Sequence, residues 1–322
     1  MDPGTHITVA SHASLESSEA LVVFVCWFLG GVPWGTVGIG GAIVFALCYH
    51  LAGYYGVVAF SAARVILMIQ YGVLAMTGTQ LVLVSLRSPH TNWSFAAFVT
   101  VLFTPSKLFG TWLMLELTDG GATWLHLALG LLLLATFFVL LFMEFNRDTP
   151  VSAEPFSMRS PLNLLYASIF GLAGGFLSGF FGIPIIAFVL FPYLVRMPKE
   201  EWRASVNPFY FAATLANIIF LFYMGRLVVA EASLYLAAVC GALLGAATGN
   251  FISPMVDETV FRRILLAFLL VGSLSLITRG TEAAPWLAGA TVSVMVGAIS
   301  FGLYVAINHQ CRPERADFEQ VK

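Results

Sequence analysis

Charge is what this sequence has least of. Of its 322 residues only 10% are Asp, Glu, Lys or Arg, against 59% hydrophobic residues and a mean hydropathy of +0.89. A water-soluble domain carries about 25% charged residues, so the chain cannot clothe a soluble surface. Its net charge of −2 gives no basic field for nucleic acid, and no nucleic-acid partner is expected. Residues 1–19 contain no Lys or Arg. They therefore lack the basic start of a signal peptide and read as a short disordered polar tail. The four cysteines, Cys26, Cys48, Cys240 and Cys311, include no CxxC pair. They read as small buried hydrophobes rather than a disulfide framework or metal site. There is no HExxH, no paired carboxylate or His cluster within the apolar runs, and no GxxxxGK[ST]. A membrane-embedded enzyme is thereby disfavoured, and neither cofactor nor metal is expected. His126, alone in an apolar run, reads as a core histidine.

What the chain has instead is a series of long apolar segments: 21–47, 55–84, 93–116, 122–145, 162–194, 204–224, 230–252, 262–278 and 284–307. A helix needs about 20 apolar residues to cross a bilayer. The expected fold is all-α, a polytopic membrane protein whose first partner is the lipid bilayer. Trp27, Trp93, Trp124 and Trp286 lie near segment ends, where interfacial tryptophans gather. The polar, Pro- and Ser-bearing stretch around 147–161 reads as a linker. It separates a first membrane repeat, 20–146, from a second, 162–278. Residues 279–308 read as an additional transmembrane helix and 309–322 as a cytoplasmic tail.

The two repeats open alike. FLGGVPWGTVGIGGAIVFAL (28–47) and FGLAGGFLSGFFGIPIIAFVL (170–190) coincide on a shift of 144 residues, which places Gly30, Gly31, Gly35 and Gly38 on Gly174, Gly175, Gly179 and Gly182. The same shift places Ser61 on Ser205. Both segments are long for one crossing and short for two. A helix broken at glycine, entering and returning on one side, fits that length, and such backbone is tolerated where it is buried or lines a cavity. With both segments re-entrant and the N-terminus outside, eleven basic residues fall inside and only Arg226 and Arg279 outside. With both crossing fully, the division is eight to five. The positive-inside rule favours the first layout. It gives three spanning helices per repeat and hence two inverted repeats, plus one extra C-terminal helix ending in the cytoplasm.

Two cations fall inside apolar segments, Arg64 and Lys107. A charge at that depth costs about 2.5–3.5 kcal/mol on insertion scales, and a bound anion in a wet cavity would offset it. Snorkelling, or pairing with Glu116 or a carbonyl, are the alternatives. Gly38, Gly40 and Gly41 in one repeat, and Gly182 and Pro184 in the other, can form two anion cradles at the new helix N-termini. Gly31 and Gly35, Gly171, Gly175 and Gly179, and Gly241, Gly245 and Gly249 recur every four residues and read as helix-packing stripes. Neutral polar candidates are Ser61 and Gln70 beside Arg64, and Ser205, Asn207 and Asn217 in the matching segment.

At these two Gly-rich segments, and again at GALLGAATGNFISPMVDETVFRRILLAFLLVGSLSLI (241–277), the sequence resembles the TauE/SafE family of sulfite exporters and sulfonate permeases. The resemblance covers roughly residues 20–278. It implies a secondary transporter of a small sulfur oxyanion or organosulfonate in the cytoplasmic membrane, working without ATP. In inverted-repeat transporters the site lies near the midplane, at the repeat interface. A passive anion channel on the same scaffold, or a carrier of another small anion such as a carboxylate, are the alternatives. A homodimer is compatible with this reading.

Overall fold

The computed structural model describes residues 4–38, 40–54, 57–58, 62–119, 125–145, 156–182, 184–195, 197–226 and 232–253, with scattered positions between 266 and 297. Every element among them is helical: α1 (Gly4–Val37), α2 (Gly41–Tyr54), α3 (Ala62–Gln80), α4 (Trp93–Asp119), α5 (Leu125–Phe145), α6 (Pro161–Ile169), α7 (Gly175–Phe180), α8 (Ile185–Leu194), α9 (Lys199–Tyr223) and α10 (Ala232–Ile252). A π-helical turn, Leu81–Ser85, ends α3, and another, Phe170–Gly174, joins α6 to α7. Among the described residues six stretches are long and apolar enough to cross a membrane: Ser18–Thr36, Met68–Ser85, Trp93–Leu117, Pro161–Phe180, Glu200–Tyr223 and Ala232–Ile252. The expected additional helix at 279–308 lies largely outside the described residues.

Two sequence expectations change here. The tail expected to be disordered is helical from Gly4. Between Gly4 and Val32 the sequence has no proline to stop a helix that the apolar run already holds. Trp27, expected at an interface, is fully buried, stacked on Phe45 at 4.5 Å and pressed against Gly72 of α3.

Both Gly-rich segments fold into helical hairpins. The first breaks at Gly38 and Gly40, whose φ values of 79° and 95° lie in the left-handed region. There a side chain costs about 1–2 kcal/mol. After the break α2 runs back along α1. Gly41 lies against Gly30, whose added Cβ would sit 2.5 Å from the Gly41 oxygen. Phe45 stacks on Trp27, and Tyr49 Oη donates to Glu19 Oε1 at 2.8 Å. The second hairpin breaks at Gly182, φ 74°, the residue that the 144-residue shift pairs with Gly38. Pro184 then opens α8, its carbonyl accepting from Phe188 N at 3.0 Å. Ala187 returns to Gly174 and Phe191 to Phe170, the rings 4.5 Å apart.

Each hairpin's long arm packs on the other half of the chain. A Cβ on Gly241, Gly245 or Gly249 of α10 would collide with the carbonyl oxygens of Phe24, Phe28 and Val32 of α1. A Cβ on Gly175 or Gly179 of α7 would collide with those of Phe103 and Lys107 of α4. The four-residue glycine stripes are therefore backbone-to-backbone contacts. In both pairs residue numbers rise together, so the helices run parallel. α3 runs parallel to α10, as Tyr71 stacks on Tyr235 and Gln80 reaches the Ala246 oxygen. α3 and α9 run in opposite directions. Gly78 faces Phe211, while the Ser85 oxygen takes the Thr91 hydroxyl and Asn92 N donates to Ser205 Oγ near the start of α9. Between the halves lies an aromatic core of Phe95, Phe103, Phe170, Phe188, Phe209 and Tyr210.

Candidate functional site

Helix α9 carries a polar stripe through an apolar interior. Arg203, Asn207, Tyr210, Thr214 and Asn217 are spaced 4, 3, 4 and 3 residues apart, which places them on one helical face. All are buried, Arg203 at 8% exposure and the rest at 1% or less. The stripe from Arg203 to Thr214 spans roughly 16 Å. Pro208, within the helix, has no N–H to donate, and such breaks are tolerated in spanning helices where neighbours re-satisfy the backbone.

Lys107 of α4 meets this stripe from the other half of the chain. Its side chain is 1% exposed. Nζ donates to Thr214 Oγ1 at 2.8 Å and lies 4.7 Å from the centre of the Tyr210 ring. The alternatives of snorkelling and pairing with Glu116 are overturned. The side chain is enclosed, and Glu116 is exposed, two and a half turns along the helix. Pro105 leaves α4 continuous from Trp93 to Asp119. Among the described residues no carboxylate pairs with the ammonium; a hydroxyl and a ring face hold it. Gly179 permits this placement, since α7 passes directly over the Lys107 carbonyl.

Tyr210 is touched by both hairpins. Trp34, in the last turns of α1, lies 5.5 Å from it ring to ring, and Ser178 of α7 donates to its hydroxyl at 3.3 Å. The 144-residue shift superposes Trp34 on Ser178. The Trp34 indole N–H is buried with no hydrogen-bond partner among the described residues, as are Gln70 Oε1, Asn207 Oδ1 and both amide atoms of Asn217. Buried polar atoms normally find a partner, and leaving one without costs about 1–3 kcal/mol. Of these the Trp34 N–H, beside the Tyr210 ring that Lys107 faces, and Asn217 Nδ2, one turn beyond Thr214, are donors of the kind a small anion accepts from; the three amide oxygens are acceptors.

The other sequence candidates fall as follows. Gly38, Gly40 and Gly182 form the hairpin bends, Gly38 facing Val206 and Gly182 facing Ile69. Gly41 is packed between the Gly30 oxygen and Met76. Pro184 is buried at the start of α8. Ser205 is buried and accepts from Asn92 N at 2.9 Å, which pins the α3–α4 connection. Asn207 Nδ2 donates to the Arg203 oxygen at 2.7 Å. Ser61 lies outside the described residues, and Arg64 is placed only by its backbone, in the first turn of α3. Arg203 is one of the eleven basic residues that the positive-inside layout puts in cytoplasmic loops. It lies instead inside α9, buried, because α9 begins at Lys199. Thr214, Tyr210, Trp34 and Ser178 escaped the sequence reading. The polar period along α9 was the available signal for the first two.

Six helical stretches long and apolar enough to cross a bilayer, among the described residues, mark an integral membrane protein. The sequence profile described as "Sulfite exporter TauE/SafE" matches residues 23–276. The chain belongs to the sulfite exporter TauE/SafE family, a family of membrane transporters, with a small anion of the sulfite type as the implied cargo. No curated protein and no solved structure matches the chain significantly.

Proposed function

We propose that the chain is a secondary carrier that moves sulfite or an organosulfonate across the cytoplasmic membrane by alternating access, with one central site where the halves meet. The observation that carries this is Lys107: a buried ammonium, carboxylate-free among the described residues, contributed by one half and held by Thr214 and Tyr210 of the other. The anion takes the ammonium's remaining N–H donors and the free Trp34 N–H. Gln70, Asn207 and the glycine bends at Gly38, Gly40 and Gly182 surround its route. The halves are inverted repeats built on re-entrant hairpins. Three features support that layout: the fold-back of α2 on α1 and of α8 on the α6–α7 arm, the opposed directions of α3 and α9, and the exchange of hairpins between halves. The N-terminus lies outside and the C-terminal tail in the cytoplasm.

A carrier and a channel differ in one assay. In proteoliposomes preloaded with unlabelled sulfite, a carrier gives transient accumulation of external radiolabelled sulfite by counterflow and saturates. Continuous, non-saturating flux without counterflow would establish a channel instead. Arg64 enters the same proposal as a second cation from the start of α3. Arg64→Ala should reduce sulfite binding at least tenfold in the purified protein, with insertion intact. Unchanged binding removes Arg64 from the site.

A further inference from the structure

Among the described residues Arg203 is the second buried cation, and nothing in the central site uses it. Its Nη1 donates to Ser253 Oγ at 2.9 Å and its Nη2 to Asn250 Oδ1, both neutral oxygens at the end of α10. Ser253 passes its own hydrogen to the Thr36 oxygen at 2.8 Å, in the last turn of α1. Glu200, the acidic group that acts on Arg203 electrostatically, is exposed on the preceding turn. Glu201 is committed elsewhere, one carboxylate oxygen to Phe156 N at 3.0 Å and the other to Asn92 Nδ2 at 3.1 Å. Among the described residues no carboxylate forms an ion pair with the guanidinium. Arg203 Nε and, one turn on, Asn207 Oδ1 are buried without partners.

The surroundings repeat those of Lys107 with the halves exchanged. Lys107 comes from the first half and is backed by the last turn of the second hairpin, at Gly179. Arg203 comes from the second half and is backed by the bend of the first hairpin: a Cβ on Gly38 would lie 3.4 Å from Val206 Cγ1 and 4.0 Å from the Arg203 Cα. The two cations sit on one face of α9's surroundings, with Asn207 and Tyr210 between them. A fixed latch would need only the two Nη bonds. A full positive charge with an unpartnered Nε–H, and one further N–H on each Nη, leaves donors for an oxyanion.

We propose that Arg203 forms a second anion-binding station, for a small oxyanion of the class held at Lys107. The anion binds there before or after its stay at the central site. The inference rests on the carrier reading, and its test separates the two. Equilibrium dialysis of the purified protein in nanodiscs against radiolabelled sulfite should give two anions per chain for the wild type. It should give one for Lys107→Met, one for Arg203→Gln and none for the double variant. Arg203→Lys keeps the charge but loses Nε and the planar fork. It should stay folded and weaken one of the two sites at least tenfold, which guards against misfolding of Arg203→Gln. One anion per chain in the wild type, unchanged by either Arg203 variant, overturns the second station and leaves the central site standing. Loss of a site with Arg203→Gln but none with Lys107→Met keeps the station and overturns the central site. No binding to the wild type overturns both.

Discussion

Lys107→Met is expected to abolish sulfite transport while leaving the protein folded and inserted. Methionine fills nearly the volume of the lysine stem and brings no charge into the aromatic core. Thr214, its hydrogen-bond partner, can return its hydroxyl to its own helix. Losing one partner of a buried, hydrogen-bonded charge pair costs about 2–5 kcal/mol of binding, a loss of roughly 30-fold to several thousand-fold. Without ligand, removal of a desolvated charge should leave thermal stability unchanged or raised. The stabilisation that saturating sulfite gives the wild type should vanish. Wild-type transport rates in Lys107→Met, measured in proteoliposomes at matched protein content, would assign the ammonium a structural role only.

The second large effect is expected at the hairpin bends. At Gly38 and Gly182 an added Cβ would find ordinary space, with the nearest atoms 3.4 Å and 3.6 Å away. The penalty comes from the backbone, whose φ values of 79° and 74° suit glycine alone. Alanine should cost about 1–2 kcal/mol at either position. Asparagine, which tolerates the left-handed region, should cost less, and valine more. Transport should fall in the same order, because the bend sets where α1 and α7 end against α9. Gly225, φ 65° with nothing within 4 Å of its Cβ position, lies at the exposed end of α9 and serves as the control. There the stability loss should recur without loss of transport. Thermal unfolding and initial rates of the Ala, Asn and Val series measure both. Equal behaviour of all three substitutions would show that the bends do not require glycine.

Much of this arrangement was legible in the residues. The 144-residue correspondence marked Gly38 and Gly182 as equivalent bends, and both take the left-handed backbone. The four-residue glycine stripes marked the helix contacts, because only glycine lets two backbones meet as α1 meets α10. Lys107 was conspicuous as a charge in an apolar run. What escaped was set by distant parts of the chain. The burial of Trp27 depends on Gly72, forty-five residues away, and no local pattern reveals it. Tyr210 reads as one more core aromatic until Trp34, Ser178 and Lys107 converge on it. Arg203 was hidden by its neighbours Arg196 and Lys199, which made the cluster look like a charged loop. Its spacing to Asn207 and Thr214 was the helical signal that outweighed the cluster.

The most direct measurement uses selenite, which has the shape and charge of sulfite and an anomalously scattering atom. Crystals of the protein grown with selenite should show a selenium peak within hydrogen-bonding reach of Lys107 Nζ, beside Tyr210 and Thr214, and Lys107→Met crystals should lack it. Full occupancy elsewhere in the membrane region, with the Lys107 ammonium closed off by a carboxylate, would contradict the account.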